Sequence, residues 1–297
     1  MEQANPAPLE PKAPALERAS WWALANERMQ AGDAAGAAEL CARMLAADPQ
    51  DGEAAQLMNS AQHALHIQAA QAAFPGAIYL DWLRWFHDTL RPANYLEIGV
   101  ESGASLCFAK PPTRAVGVDP AIQVVHGQEA WCKLFKLTSD EFFAKYDLRR
   151  VLQAETLDLA FIDGLHTFDQ ALKDFMNIER YSCPATVVLF HDVWPVTAIT
   201  AARERVTTFW PGDTWKVIPI LRERRPGLKV FTIPTFPSGL GVVTGLDAND
   251  ESLWPSFAEI VEQWLPVPVE NYLPEMAAHL NAVRNDYVTV SRLLRHY

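Results

Sequence analysis

Cysteine is scarce. The four in 297 residues (Cys41, Cys107, Cys132, Cys183) are too scattered for a zinc knuckle or a disulfide framework, so reduced thiols are expected. Basic side chains are outnumbered, 25 Lys and Arg against 36 Asp and Glu, giving a formal net charge of −11. A chain so short of positive charge has no footprint for nucleic acid or an anionic membrane, and its acids are spread along the sequence as solubilising charge. No apolar run reaches membrane-spanning length, and the first residues lack the basic-then-apolar pattern of a secretory signal. A cytoplasmic protein is expected. What is present, 49% apolar and 21% charged residues, suffices for one large or two modest cores.

Residues 1–14 carry Pro6, Pro8, Pro11 and Pro14 with little apolar content, which reads as a flexible lead-in. Residues 15–74 are alanine-rich and helical. Trp21, Leu24 and Ala25 fall on one face of a first helix, and Gly32-Asp33 break it. Ala37, Cys41 and Met44 line a second helix that Asp48-Pro49 ends, and a third runs from Glu53 to about Ala73. The offsets resemble one tetratricopeptide repeat. A single repeat cannot bury its own face, so it either packs on the next domain or docks a partner; an ordinary helical hairpin is the alternative. Pro75-Gly76 marks a boundary, and Ile78 to Leu90 carries Trp82, Trp85 and Phe86 at helical spacing, as packing aromatics.

From Tyr95 onward, apolar strands alternate with helices. Tyr95 to Ile98 is a buried strand, Gly99 and Gly103 frame a tight loop, and Ser102 to Phe108 are expected to start a helix whose amides face a ligand. A second strand ends at Asp119. Further strands are expected near 133–137, at 157–162 and at 185–190, with a capping signature at Thr138 to Glu141 and an amphipathic helix from Thr167 to Tyr181. Segments 194–209 and 215–224 look helical, 228–233 and 239–244 would form an antiparallel hairpin, and 247–297 reads as a helical extension that covers the site or forms an oligomer contact. The alternation predicts an α/β fold: a doubly wound, seven-stranded, mostly parallel sheet with a small all-α N-terminal region. Its sheet domain spans 75–246.

The strand ends bring polar groups to one rim: Glu97 and Gly99, Asp119, Asp163 and His166, His191 and Asp192. The dinucleotide pattern GxGxxG is missing. The loop instead reads Glu97-Ile98-Gly99-Val100-Glu101-Ser102-Gly103, and acids there would repel a pyrophosphate. An acid-Ile-Gly-x3-Gly loop resembles motif I of class I S-adenosylmethionine-dependent methyltransferases, whose cofactor is cationic at sulfur and has no phosphate. The stretches LEIGV, GVDP, TSDEFFAKYD, LDLAFIDGLHTFDQALKDFMNIERYS and VVLFHDVWP are similar to the macrocin-type sugar O-methyltransferases. The resemblance implies a Rossmann-like fold. It also implies that Glu97, Gly99 and Gly103 hold the methionine end, Asp119 holds the ribose, and Ser139 with Asp140 lies near the adenine, with Ser102 and Asp163 also among the cofactor-binding residues.

The same resemblance implies a metal-binding Asp followed by a catalytic His in the DxxH step, which Asp163 and His166 match. Methylating an aliphatic hydroxyl needs a base, a metal or both, because its pKa lies far above neutrality. Asp163 and Asp192 offer oxygens for Mg or Mn, and His166 a base. The macrocin-type enzymes carry two adjacent carboxylates where this chain has His191-Asp192, and imidazole suits manganese better than magnesium. Bland roles stay open: Asp163 and Asp192 as helix caps, His191 as a core histidine. Trp194 and Trp215 are candidates to stack on a sugar, and Arg222 to Arg225 either form a solvated helix end or meet an anion.

The expected function is O-methylation, with S-adenosylmethionine and metal assistance, of a hydroxyl on a sugar or glycosylated small molecule. The alternatives are a catalytically inactive cofactor-binding interaction protein and a metal-dependent enzyme of other chemistry on the same scaffold. Partners beyond the acceptor would be a second copy or a protein docking on the N-terminal helices.

Overall fold

The computed structural model describes residues 13–294; the lead-in expected at 1–14 lies almost wholly outside them. The chain divides into two compact units, 13–69 together with Thr207–Phe209, and 70–206 together with 210–294. Helices α1 (Ala13–Gln30), α2 (Ala34–Ala47) and the greater part of α3 (Gly52–Ala73) make the first unit. Ala25, Ala37, Cys41 and Ala54 have no exposed surface, and these small side chains let the helices approach closely around Met44. Leu24, expected on the packed face, is exposed instead. Asp33 caps α2 by accepting from Gly36 N at 2.9 Å. Asp51 does the same for Ala54 N and takes a two-pronged bond from Arg18 at 2.7 and 2.8 Å. Arg18 and that amide hold the Asp51 carboxyl down at about 2.

The second unit is built on a seven-stranded sheet: β1 (Asn94–Ile98), β2 (Arg114–Val118), β3 (Trp131–Phe135), β4 (Leu159–Ile162), β5 (Val187–His191), β6 (Lys229–Ile233) and β7 (Leu240–Thr244). The order is β3-β2-β1-β4-β5-β7-β6, parallel from β3 to β5, with β7 antiparallel to both β5 and β6. This is the expected doubly wound, Rossmann-like methyltransferase topology. The order reverses between β1 and β4, and the crevice beyond their carboxyl ends is where such sheets take ligands.

Period-two alternation sends side chains to two apolar layers. Leu96, Ile98, Ala160, Ile162, Val188 and Phe190 face α5 (Ser139–Lys145), α6 (Leu148–Leu152), α7 (Phe168–Glu179), α8 (Val217–Arg224) and α9 (Leu253–Trp264). Tyr95, Ala115, Phe161 and Leu189 face α4 (Tyr79–Leu90), which packs Trp82, Leu83 and Phe86 against them. α5 begins with the expected capping box: Thr138 Oγ1 accepts from Glu141 N, and Glu141 Oε2 accepts from Thr138 N.

Several expectations change. The helix predicted at Ser102–Phe108 is one 3-10 turn, Leu106–Phe108, because the chain must reach β2 through Pro111-Pro112, which cannot continue a helix. The stretch 194–209 is irregular, with a single 3-10 turn at Ile199–Ala201. Thr200 Oγ1 bonds to Thr197 O in place of a helical ladder. Arg225 is neither solvated nor near an anion site: it forms a buried two-pronged bridge to Glu179 at 2.6 and 2.9 Å.

The C-terminal extension pairs with the free edge of β6 through Thr232 and Val283, and its short helices α10 (Met276–His279) and α11 (Tyr287–Leu294) put Met276 and Val290 into the two apolar layers. Asn285 accepts from the Trp82 indole at 2.7 Å. None of its described residues lines the cavity taken up below. Among the described residues no helix is long and apolar enough to cross a membrane.

Candidate active site

At the carboxyl ends of β1, β2, β4 and β5 lies a cavity of about 740 Å³. Its floor is the loop after β1. Gly99 takes a positive φ of 87°, and a Cβ there would overlap the Asp163 carbonyl, so β1 and β4 can close on each other only with glycine at this position. Asp119, ending β2, accepts from Glu101 N at 2.9 Å with one oxygen and from Ala121 N at 2.5 Å with the other. That pins the loop and leaves lone pairs turned to the cavity, which Asp119 lines. Ser139 and Asp140 line the far wall at the start of α5. Gln170 Nε2, also on the wall, lies 3.1 Å from Ser139 Oγ and 3.3 Å from Asp140 Oδ1.

Of the residues expected at the cofactor, Gly99, Ser102, Asp119, Ser139, Asp140 and Asp163 line this space. Glu97 and Gly103 do not. Glu97 shares the face of β1 that carries Tyr95, so its carboxyl points into the layer beneath the loop and is fully buried. There it accepts from Tyr95 Oη and Ser105 Oγ, both at 2.6 Å. Burial pushes it up to about 8 against the pull of those two hydroxyls, and the carboxyl braces the loop from beneath.

The second cluster sits where β4 and β5 end. His191 Nδ1 lies 3.1 Å from Asp163 Oδ1 and 3.4 Å from Asp192 Oδ2. His166 Nε2 lies 3.6 Å from Asp163 Oδ1, and its Nδ1 lies 3.2 Å from Asp192 Oδ2 and 2.7 Å from Trp210 O. Asp192 adopts the left-handed conformation at φ 58° and accepts from Ser238 Oγ. Neither acid caps a helix. The first amide of α7, Phe168 N, is taken by Asp213 Oδ1 at 2.9 Å, and no helix follows Asp192 directly. His191 is buried, yet its Nδ1 is turned to the acids rather than to the core.

Electrostatics follow from this crowding. Burial opposes a charge on His166, but Asp192 and Asp163 outweigh it and raise its pKa. His191, against the same burial, is raised well above its usual value by Asp163 and Asp192. For Asp192 burial works upward, and the two histidines overcome it to hold the carboxyl well below the usual range.

Two implied groups can be tested against these residues. The cavity wall carries Glu101, Asp119, Asp140, Asp163 and Asp192, an anionic lining that fits a cationic ligand and would repel a pyrophosphate. One ligand atom each from Asp163, His191 and Asp192 lie within 4.8 Å of one another, an oxygen-nitrogen-oxygen set that fits a divalent ion. His191 Nε2, buried, meets no hydrogen-bonding partner among the described residues, so such an ion would lack the usual outer support on that ring.

Other residues of the site carry no motif. Tyr79, the first residue of α4, lines the cavity and stacks on His191 with ring centres 4.2 Å apart. Burial and then Asp163 and Asp192 raise its phenol pKa. Trp210 stacks on His166 at 5.3 Å. Arg205 reaches the cavity from the loop after β5. Trp194 and Trp215, the expected stacking candidates, do not line it: Trp215 is fully buried behind α8, and Trp194 packs edge-on against Phe74.

Residues 96–193 match a family model described as a methyltransferase domain. No curated protein matches the chain. Among solved structures, similarity extends to an S-adenosylhomocysteine-bound methyltransferase from Podospora anserina, 13% identical over 62% of this chain and 87% of that one, TM-score 0.43. An O-methyltransferase from Streptomyces achromogenes involved in tomaymycin synthesis, in complex with S-adenosylmethionine, is 16% identical over 61% and 89%, TM-score 0.44. An O-methyltransferase from Bacillus cereus in complex with S-adenosylhomocysteine is 14% identical over 62% and 89%, TM-score 0.41. The domain match makes methyl transfer the chemistry of this unit.

Proposed function

We propose that the protein is an S-adenosylmethionine-dependent O-methyltransferase, assisted by a divalent ion, whose acceptor is a hydroxyl of a sugar or glycosylated small molecule. The observation that carries the reading is the meeting of Asp163, His166, His191 and Asp192 at one end of a cavity whose other walls hold Asp119, Ser139 and Asp140. The sugar class rests on the resemblance of DGLH and its flanks to the macrocin-type enzymes, and the N-terminal helices are read as a tetratricopeptide-like annex on the offsets of Ala25, Ala37 and Cys41.

S-adenosylmethionine, when bound, supplies a methyl group on a cationic sulfur. Asp119 would receive the ribose hydroxyls on its remaining lone pairs, and Ser139 with Asp140 would meet the adenine edge. The anionic wall favours the cation. A divalent ion, when bound, lowers the pKa of the acceptor hydroxyl, and Asp163, His191 and Asp192 would hold it. His191 must give up its Nδ1 proton to serve as a ligand, so ion affinity should rise with pH. His166 takes the acceptor's proton on Nε2, since its Nδ1 is engaged with the Trp210 carbonyl. Asp192 and Asp163 then stabilise the imidazolium.

Calorimetric titration with S-adenosylmethionine, with and without Mg or Mn, tests the reading. Saturable binding and metal-stimulated transfer of a labelled methyl group to sugar acceptors are expected. No binding under either condition would sink it, and binding with metal-indifferent transfer would remove the ion.

A further inference from the structure

We propose that the segment Trp210–Asp213 is a positioning device for His166: it holds the imidazole in the one neutral tautomer that leaves Nε2 as proton acceptor, and Asp213 anchors it. The inference rests on the reading of His166 as the base. It adds three residues that no motif marks.

A neutral imidazole has one N–H and one bare nitrogen. His166 Nδ1 is 2.7 Å from Trp210 O, and a carbonyl can only accept, so Nδ1 carries the hydrogen. The second neighbour of that nitrogen, Asp192 Oδ2 at 3.2 Å, is an acceptor too and makes the same demand. Nε2, on a residue that lines the cavity, has Asp163 Oδ1 as a carboxylate neighbour at 3.6 Å, beyond hydrogen-bond reach, and so is left with its lone pair. A base is useful only in the right tautomer, and here a main-chain carbonyl selects it.

Three residues of the segment keep that carbonyl in place. The Trp210 indole stacks on the His166 ring, centres 5.3 Å apart and planes 24° apart, and donates its N–H to Ala202 O. Gly212, at φ 63°, lies so close that a Cβ would overlap the His166 carbonyl oxygen. Asp213 N then donates to that oxygen at 3.2 Å.

The Asp213 side chain ties the segment to α7. Its Oδ1 accepts from Phe168 N at 2.9 Å, where Thr167 offers no side-chain cap. Its Oδ2 lies 3.4 Å from both Lys216 Nζ and Arg203 Nη1. Asp213 is 2% and Lys216 4% exposed. Burying an ion pair costs solvation that an apolar pair would not, so the pair is understood here as fixing position. One carboxylate therefore grips the start of α7, two residues past His166, and the loop that touches the His166 ring.

The test is the tautomer itself, read in long-range ¹H–¹⁵N correlation spectra of histidine-labelled full-length protein, chelator-treated and at alkaline pH. His166 is assigned by the signal lost in His166→Asn. The wild type should show Nδ1 protonated and Nε2 bare. Asp213→Ala should shift His166 towards the Nε2–H form that free histidine prefers, and Asp213→Asn, which keeps an acceptor for Phe168 N, should restore the wild-type pattern. In transfer assays Asp213→Ala should lower kcat about tenfold or more with KM for S-adenosylmethionine within about twofold, because only the base is disturbed. Should Asp213→Ala fail to fold, Arg203→Gln, which loosens one partner of the same carboxylate, is read for a partial shift. An Nε2–H signal in the wild type, or an unshifted signal in folded Asp213→Ala, would overturn the proposal. If instead His166→Gln left transfer intact while the tautomer behaved as described, the device would stand and the base assignment would fall.

Discussion

His191 Nδ1 lies 3.1 Å from Asp163 Oδ1, although the two residues are 28 positions apart and end neighbouring strands. The contact ties the strand-end acid of β4 to the histidine that ends β5, and Asp192 and His166 complete the cluster around it. The donor set offers two oxygens and a nitrogen rather than oxygens alone, which ranks manganese above magnesium. We predict that His191→Asp, which turns the set into three carboxylates, raises the ratio of Mg-supported to Mn-supported transfer. Initial rates in the two metals check this; an unchanged ratio would count against a metal at these residues. Chelation should depress the wild-type rate, with recovery on adding Mn.

His166→Gln should lower kcat by about 10²–10⁴ and leave cofactor affinity within about twofold, since glutamine keeps polarity but takes no proton. Labelled-methyl transfer, set beside calorimetry on the same variant, separates the two effects. An equal loss in both would mean that His166 serves binding.

Asp119→Ala removes the carboxylate that holds Glu101 N and Ala121 N and offers lone pairs to the cavity. S-adenosylmethionine affinity is expected to fall at least about tenfold, the scale of a charge-assisted hydrogen bond. Asp119→Asn should fall between the two, because an amide oxygen still accepts. Affinity unaltered in Asp119→Ala would place the ribose elsewhere.

Glu97 gives a pH signature. Its folded pKa of about 8 lies above its ordinary 4.5, so between these values the unfolded chain releases a proton that the folded chain keeps. Stability attributable to this group is therefore fully present below about 4.5, declines as pH rises towards 8, and levels off beyond. Glu97→Gln should remove that slope. Denaturant unfolding at pH 5.5 and 8.5 is the measurement: the variant should gain on the wild type by roughly a few kcal/mol at the higher pH. A parallel response in both proteins would show that Glu97 is ionised throughout.

The Arg225–Glu179 bridge makes a prediction about stability alone. Arg225→Met leaves a buried carboxylate unpaired and should cost about 3–5 kcal/mol, whereas adding Glu179→Leu should recover most of it. Urea unfolding of the single and double variants decides. A double variant no better than the single one would mean that the bridge stabilises beyond its own pairing.

Local patterning was enough to determine the sheet, because alternating apolar strands, a capping box at Thr138 and acids at strand ends are properties of a few adjacent residues. It also delivered Asp119, Asp163, His166, His191 and Asp192 to one rim, since each sits at the end of a readable strand or just beyond it. The misread stretches, Ser102–Phe108 and 194–209, have helical apolar spacing, but the first runs into Pro111-Pro112 and in the second the Thr200 hydroxyl takes the Thr197 carbonyl, so local backbone chemistry prevails over periodicity. Only the tertiary structure decided which way Glu97 points, what holds His166, and that Tyr79 and Trp210 belong to the site. Those facts depend on a strand face, a main-chain carbonyl and ring contacts between residues far apart in the chain. No local pattern records them, because the carbonyl of Trp210 is the same chemical group whatever residue stands there.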